Sequence, residues 1–402
     1  MQAESVSALS QQGIQPQRGL KKDAIWTLSA AHLMNDLVTV GIVPALLPLY
    51  KAAFHLSYTQ AGLIVLFSYL TSSVMQPFIG MATDKKPYVW FLPFGVALST
   101  AGLALTGAAR SFPLLLLFIS FSGLGSGAFH PEASRGAHMA AGGAKGLAQA
   151  IFQVGGNAGQ ALGPLMIPLF VLATGIHGLL WFLVLSVVAF GLTARMLPWY
   201  KVQIANNHKA KRQIQGRNRI GAVALLVVIV VLRSWVQIGG AGFLPFYLVH
   251  QHIPLSQAEL YDFLFLGAGA VGTFIGGILS DKLGKKWILF TSMLLSIPFA
   301  GLLPHTAGGV WGIVVLIAFG LSVLSSFAVT VVYCQQLLPR NLALASGLMI
   351  GFGVGAGGIG ATMMGSLADS YGVSTIFNLL VFLPIAATIL SIFLPSDKKL
   401  AA

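Results

Sequence analysis

His32, Asn35 and Asp36 stand within one helical turn of each other in a stretch that is otherwise apolar, with Ser29 before them and Thr39 after. Spacings of three and four put these side chains on one face of a helix. Asp36 lies about 12 residues into its stretch, roughly 18 Å at 1.5 Å per residue, near the middle of a bilayer. Charge is expensive at that depth, so a retained carboxyl is a candidate for loading and releasing a proton. His32, one turn away, is a side chain suited to pass a proton at neutral pH. A cluster that only ties helices together by hydrogen bonds is the competing reading.

Three further constellations carry chemistry. Phe129-His130-Pro131-Glu132-Ala133-Ser134-Arg135 places Glu132 and Arg135 at i, i+3, where they can pair, beside a proline that should kink the helix. This pair reads equally as a proton relay and as a structural ion pair. Gln149, Gln153, Asn157 and Gln160 form a polar stripe suited to a water-filled cavity, flanked by Gly155, Gly159 and Gly163, which permit close helix contact. Arg233, with Gln237 one turn on, is the one arginine set deep in an apolar stretch, and it suits an anionic ligand. Tyr333 is a weaker cavity candidate. No metal site is expected: His130 and Glu132 fall on opposite helix faces, and the His-Glu-x-x-His spacing is absent.

The elements that must position these residues are long and apolar. Of 402 residues, 56% are hydrophobic and 8% charged, with mean hydropathy +0.83. A soluble domain carries about 25% charged residues, so the bilayer is the solvent. Backbone groups in lipid must be satisfied internally, by helices or closed barrels, and runs of roughly 20 apolar residues are helices. The expected spans are 24–50, 58–82, 88–109, 112–138, 145–174, 177–198, 219–249, 256–281, 286–305, 309–338, 341–370 and 373–395. They are numbered 1 to 12 below. The single Cys334 excludes an intrachain disulfide and a thiol metal cluster, and no cleavable leader is read in residues 1–22.

The net charge is +13, and it lies in short loops. Arg18, Lys21, Lys22, Lys85, Lys86, Lys145, Lys201, Lys209, Lys211, Arg212, Arg217, Arg219, Lys282, Lys285, Lys286, Arg340, Lys398 and Lys399 fall on one side. Lys51 and Arg110 fall on the other. This bias places both chain ends and the central loop in the cytoplasm and explains the charge better than nucleic-acid binding does. The expected organisation is a tail at 1–22, a six-helix bundle at 23–198, a linker at 199–218, a second bundle at 219–396 and a tail at 397–402.

The two halves echo each other. Gly80-Met81-Ala82-Thr83-Asp84-Lys85 ends span 2, and Gly277-Ile278-Leu279-Ser280-Asp281-Lys282-Leu283-Gly284-Lys285-Lys286 ends span 8, at an offset of 197 residues. The same offset carries Asp36 onto Arg233, so acid and base occupy equivalent places and could pair across a cavity. Six plus six spans with matching loops resembles the parallel repeat of the major facilitator superfamily, where substrate binds at the midplane between the halves. The G-x-x-x-D-[RK] loops resemble that superfamily's gating motif. The second copy is complete, and Pro87 cuts the first short.

A narrower resemblance rests on Gly123 through Arg135, on Gly146 through Asn157, on His32, Asn35 and Asp36, and on Gly276 through Lys286. These segments are similar to the fosmidomycin resistance proteins. That resemblance implies an all-helical inner-membrane transporter of bacteria, exporting a small molecule, anionic or a phosphonate, in exchange for protons. Gly159-x-x-x-Gly163-Pro164 resembles the antiporter motif of span 5, without its flanking glycines. On this reading Asp36 carries the proton, with His32, Glu132 and Arg135 as relays, and Arg233, Gln237, Asn35, Gln149, Gln153, Asn157 and Tyr333 meet the substrate. The loop residues Gly80, Asp84, Lys85, Gly277, Asp281, Lys282, Gly284 and Lys285 form the gate. A proton symporter importing a small organic anion would use the same residues. No nucleotide motif, cofactor, nucleic acid or covalent chemistry is expected, and the chain is read as a monomer and not as an enzyme.

Overall fold

The computed structural model describes residues 20–85, 88–142, 145–207, 218–306, 308–339, 345 and 348–396. Among these, every regular element is helical. Eight helices are long and apolar enough to cross a membrane: Lys22–Ala45, Phe112–Ala140, Gly175–Ala194, Ile220–His250, Leu255–Ser280, Lys285–Thr306, Val310–Leu337 and Ser374–Ile392. They are spans 1, 4, 6, 7, 8, 9, 10 and 12. Span 3 is the shorter Phe91–Thr106.

Spans 2, 5 and 11 are assembled from pieces. A π turn, Leu70–Val74, joins Tyr58–Tyr69 to Met75–Lys85. Another, Ile167–Val171, extends Lys145–Met166. A third, Leu348–Phe352, leads into Gly353–Tyr371. Span 1 carries a fourth, Leu37–Ile42, which begins at the residue after Asp36. Pro44 and Pro168 each lack the N–H that would continue a regular ladder, and a wider turn absorbs the loss. Single π turns of this kind concentrate at functional sites.

The spans form two halves. The start of span 1 packs with the ends of spans 4 and 6 through Ala24, Ala140 and Met196. The start of span 7 packs with the ends of spans 10 and 12 through Leu226, Leu337 and Leu394. Both chain ends and the linker therefore share one face, the linker face; the opposite one is the far face. The linker begins differently from expectation. Residues Leu197–Asn207 form a helix, and Tyr200 is fully buried against span 4. The burial of Tyr200 makes this start of the linker part of the first half's core. Residues 208–217, and the loop residues Lys86, Pro87 and Arg340, lie outside the described residues.

The halves meet where span 2 packs on span 11 and span 5 on span 8. Direct contacts cluster toward the far face. Gly62 lies so close to the backbone of Ala361 that a Cβ there would stand 2.6 Å from its carbonyl oxygen. Tyr58 meets Phe246 edge-on, with ring centroids 5.3 Å apart. At the linker face, Gly284 ends span 8 with φ 92°, a left-handed turn that glycine adopts without strain. Span 9 restarts at Lys285, so this glycine of the second loop motif makes a one-residue corner.

A carboxylate held between two imidazoles

Span 1 holds Asp36 at mid-depth, and the side chain turns inward among spans 4 and 5. Its Oδ2 lies 3.1 Å from His32 Nε2, and its Oδ1 lies 3.3 Å from His130 Nε2. The side chains of His32, Asp36 and His130 are 3%, 14% and 19% exposed, so the set is nearly enclosed but not sealed. Asn35 Nδ2 donates to Asp36 Oδ1 at 2.9 Å and to Ser126 Oγ at 3.0 Å.

The hydrogen bonds on the other ring nitrogens set the proton count. His32 Nδ1 lies 2.9 Å from the Phe152 carbonyl, and His130 Nδ1 lies 2.9 Å from the Ser126 carbonyl. A carbonyl oxygen only accepts, so each Nδ1 carries a hydrogen. Each Nε2–Asp36 contact then needs one more proton to be a hydrogen bond. Either both imidazoles are cationic, or one is and Asp36 carries the second proton. With both contacts made as hydrogen bonds at once, the set would hold two protons more than neutral imidazoles beside a carboxylate, for a net charge of +1. These three donors also lie within 4.8 Å of one another, close enough in principle for one metal ion. The sequence argument against a metal weighed His130 with Glu132 and did not foresee this grouping. The 3.1 Å spacing is a hydrogen-bond length and 3.3 Å lies just past the usual range.

Span 5 makes room for the set. A Cβ on Gly156 would stand 2.5 Å from His32 Cε1 and 2.8 Å from Asp36 Oδ2. No other residue type fits without moving the imidazole. Phe152, one turn earlier, stacks on His32 with centroids 4.2 Å apart. The Phe152-Gln153-Val154-Gly155-Gly156-Asn157 segment is thus a seat for the imidazole on one side. On the next side it presents polar groups, where Gln153 Nε2 donates to Asn157 Oδ1 at 3.2 Å.

Those polar groups border a narrow cavity between the halves, about 10 Å³, room for about one water. Asn157 and Gln160 of span 5, Gln237 of span 7, Leu266, Ala270 and Thr273 of span 8 and Phe327 of span 10 line it. Arg233 stands one turn from Gln237, with its guanidinium 4.8 Å above the Phe327 ring. Its Nη1 reaches Gln237 Oε1 at 3.5 Å, and its Nε is buried with no partner. The expected pairing of Arg233 with Asp36 is not made in this state: Asp36 spends both oxygens on histidines, and Arg233 lies against an aromatic face.

Other expected site residues fall elsewhere. Asn35 is fully buried and bridges Asp36 to span 4, which makes it a positioning residue rather than a cavity wall. Tyr333 sits in the linker-face core of the second half, with its hydroxyl on the Pro395 carbonyl. Glu132 is fully buried, pairs with Arg135 at 2.8 Å and accepts from Tyr200 Oη at 2.6 Å. Arg135 also donates to Thr83 Oγ1 at 3.2 Å, next to Asp84. Burial, and then the neighbouring Glu132 carboxylate, push the Tyr200 phenol up, so it remains a donor. This group ties span 4 to span 2 and to the linker helix, on the opposite side of span 4 from His130. The side chains of Gln149, Asp84, Lys85 and Asp281, and the surroundings of Gly80, lie outside what is described. Lys282 is exposed and Gly277 half-buried at the linker end of span 8.

Sequence reasoning missed His130 as a partner of Asp36. Its signal was present: His32 and His130 are the two histidines placed well inside apolar spans, and polar residues in lipid seek each other.

The chain matches the sequence profile of the Major Facilitator Superfamily over residues 28–254 and again over 226–401. It belongs to the major facilitator superfamily. It is 37% identical over 377 residues, 92% of each chain, to the fosmidomycin resistance protein of Escherichia coli (strain K12). It is 38% identical over 382 residues, 93% of each chain, to an uncharacterized MFS-type transporter of Bacillus subtilis (strain 168). Its fold superposes with a TM-score of 0.72 on an inward-facing and occupied bacterial homolog of the human lysosomal transporter Spinster, at 17% identity. That match covers 96% of this chain and 98% of the other. A chain of this superfamily is a multi-pass membrane transporter and not an enzyme, and the twelve-span, two-half architecture read from the sequence stands.

Proposed function

We propose that this transporter is a proton-coupled exporter of a small anionic compound, in which protons and substrate take turns at the centre of the molecule. The observation that carries the reading is the seating of Asp36 between two imidazoles whose other nitrogens are committed to carbonyls. Such a set gains or loses up to two protons without moving the backbone. Losing them turns its charge from +1 to −1, a reversal felt strongly in a medium of low dielectric. The cavity beside it is lined by amides, with the Arg233 guanidinium packed behind its Phe327 wall, and widening it in another state would bring both to an anion with several acceptor oxygens.

The linker face is assigned to the cytoplasm by the positive charge in its loops. With the far halves of spans 2 and 11 packed together, the state described has its outer side closed. Substrate then enters from the cytoplasm toward Arg233, Gln237 and Asn157. Opening of the outer side exchanges substrate for protons, each favouring the state it binds better. Glu132 and Arg135 hold the inner end of span 4 in this scheme and carry no proton.

Fosmidomycin is the first compound to try, because a protein so named is 37% identical along nearly the whole chain. Inside-out vesicles containing the protein should accumulate it when their lumen is made acidic. Accumulation driven instead by an alkaline lumen would establish the alternative direction, proton symport into the cell.

A further inference from the structure

Span 8 carries two acids that the account so far leaves idle. Glu259 and Asp262 are 0% and 1% exposed. Both oxygens of Glu259 and Oδ1 of Asp262 are buried with no hydrogen-bond partner. At about 100° per residue they straddle the direction of Leu266, Ala270 and Thr273, which line the central cavity. Asp262 stands about 6 Å, and Glu259 about 10 Å, beyond Leu266 toward the far face. They therefore lie above the cavity, on the same face of span 8 as its lining residues, as a roof over it, and span 8 also packs on the π turn Ile167–Val171 of span 5.

The elements packed on span 8 bring no counter-charge to them. Spans 5, 7, 9 and 10 are its neighbours. At this depth their titratable groups are Tyr247, His250 and His305. Tyr247 Oη donates to the Pro304 carbonyl at 3.0 Å, and both histidines are exposed at the far face. Arg233 is more than two turns deeper along span 7. Lys145, Lys285, Lys286, Tyr333 and Cys334 sit in the inner halves of their spans. Among the described residues neither acid has an ion-pair partner. A buried carboxylate kept only for structure is held by donors, and these have none. An apolar pair would pack the same roof better. What two facing carboxyls gain there is occupancy by protons while the roof is shut, and hydration once it opens.

We propose that Glu259 and Asp262 form a second proton-binding site, loaded from the outer medium when the far face opens and sealed under it when the face closes. The ligand is the proton, since two carboxyls alone supply too few oxygens for a dehydrated metal cation. The proposal rests on the proton-coupled reading above, and its test is separate from transport. Infrared difference spectra of the purified full-length chain are recorded as pH is raised, and the carbonyl band of protonated carboxyls is followed. Asp36→Asn should leave most of this band. Glu259→Gln with Asp262→Asn should remove it, with the melting temperature unchanged, because both replacements are neutral and nearly isosteric. Each single replacement should remove about half, which keeps the test available if the double variant does not fold. In vesicles, the double variant should flatten the dependence of transport on outer pH while substrate exchange persists. An unchanged band in the variants would overturn the proposal, as would a wild-type band erased by sodium at constant pH, which would mark a cation site. Loss of proton-driven transport is not needed for any of these outcomes.

Discussion

Asp369, near the far end of span 11, holds Thr59, at the start of span 2, by two hydrogen bonds to one oxygen. Asp369 Oδ2 accepts from the Thr59 amide at 2.8 Å and from its hydroxyl at 2.5 Å, and Oδ1 accepts from the Tyr58 amide at 2.7 Å. These amides are the orphan donors of a helix N-terminus, where negative charge is favoured. One half of the molecule thus caps a helix of the other, and the cap exists only while the far face is closed. Asp369→Asn replaces an acceptor oxygen with a donor and should weaken the closed state by ~1 kcal/mol, roughly fivefold in population. Labelling of a cysteine placed at Leu66, under the seal, by a membrane-impermeant thiol reagent should quicken by that factor. Unchanged labelling would make the clasp incidental.

Gly156→Ala should spare the fold and disable the site. The added methyl would sit 2.6 Å from His32 Nε2, so the imidazole must leave Asp36. Overpacking of this kind costs ~1–3 kcal/mol, which a protein of this size tolerates. Proton-driven accumulation should fall at least tenfold with little change in expression. Retained transport would mean that the His32–Asp36 contact is dispensable.

His130→Gln keeps a hydrogen-bond partner near Asp36 but cannot be cationic. The account expects one proton fewer per cycle, read as a reduced ratio of proton flux to substrate flux. Treatment with a strong chelator should leave wild-type flux unchanged. Inactivation by the chelator, reversed by zinc, would instead make His32, Asp36 and His130 a metal site.

Glu132→Gln removes the buried charge of an ion pair whose Arg135 is partly exposed and also held by Thr83, and should cost ~1–3 kcal/mol of stability. Tyr200→Phe removes one buried hydrogen bond and should cost ~1 kcal/mol. Both should melt lower while the folded fraction keeps its proton-to-substrate ratio. A changed ratio in Tyr200→Phe, with normal melting, would return Glu132 to the proton path.

Much of this was legible in the residues. Apolar runs and one-sided lysines gave the twelve spans, because the cost of charge and of bare backbone in lipid leaves few solutions. Asp36 with His32 was visible because both lie on one turn of one helix. His130 as their partner was not, since its contact depends on how spans 1 and 4 cross. Asn35 and Tyr333 looked like cavity residues from polarity alone, yet both are used to hold helices together. Glu259 and Asp262 escaped notice because they lie within about two turns of the expected start of span 8, near the membrane edge, where charges are ordinary. The π turns left no periodicity to read, and the clasp at Asp369 joins residues over three hundred positions apart.

Asp36→Asn in proteoliposomes is the most direct test of the whole account. With fosmidomycin on both sides and no gradient, the variant should still exchange labelled for unlabelled compound, because alternating access remains. Under an imposed pH gradient it should accumulate none, and substrate addition should release no protons. Uphill accumulation by the variant at the wild-type level would contradict a proton carried between Asp36 and its two histidines.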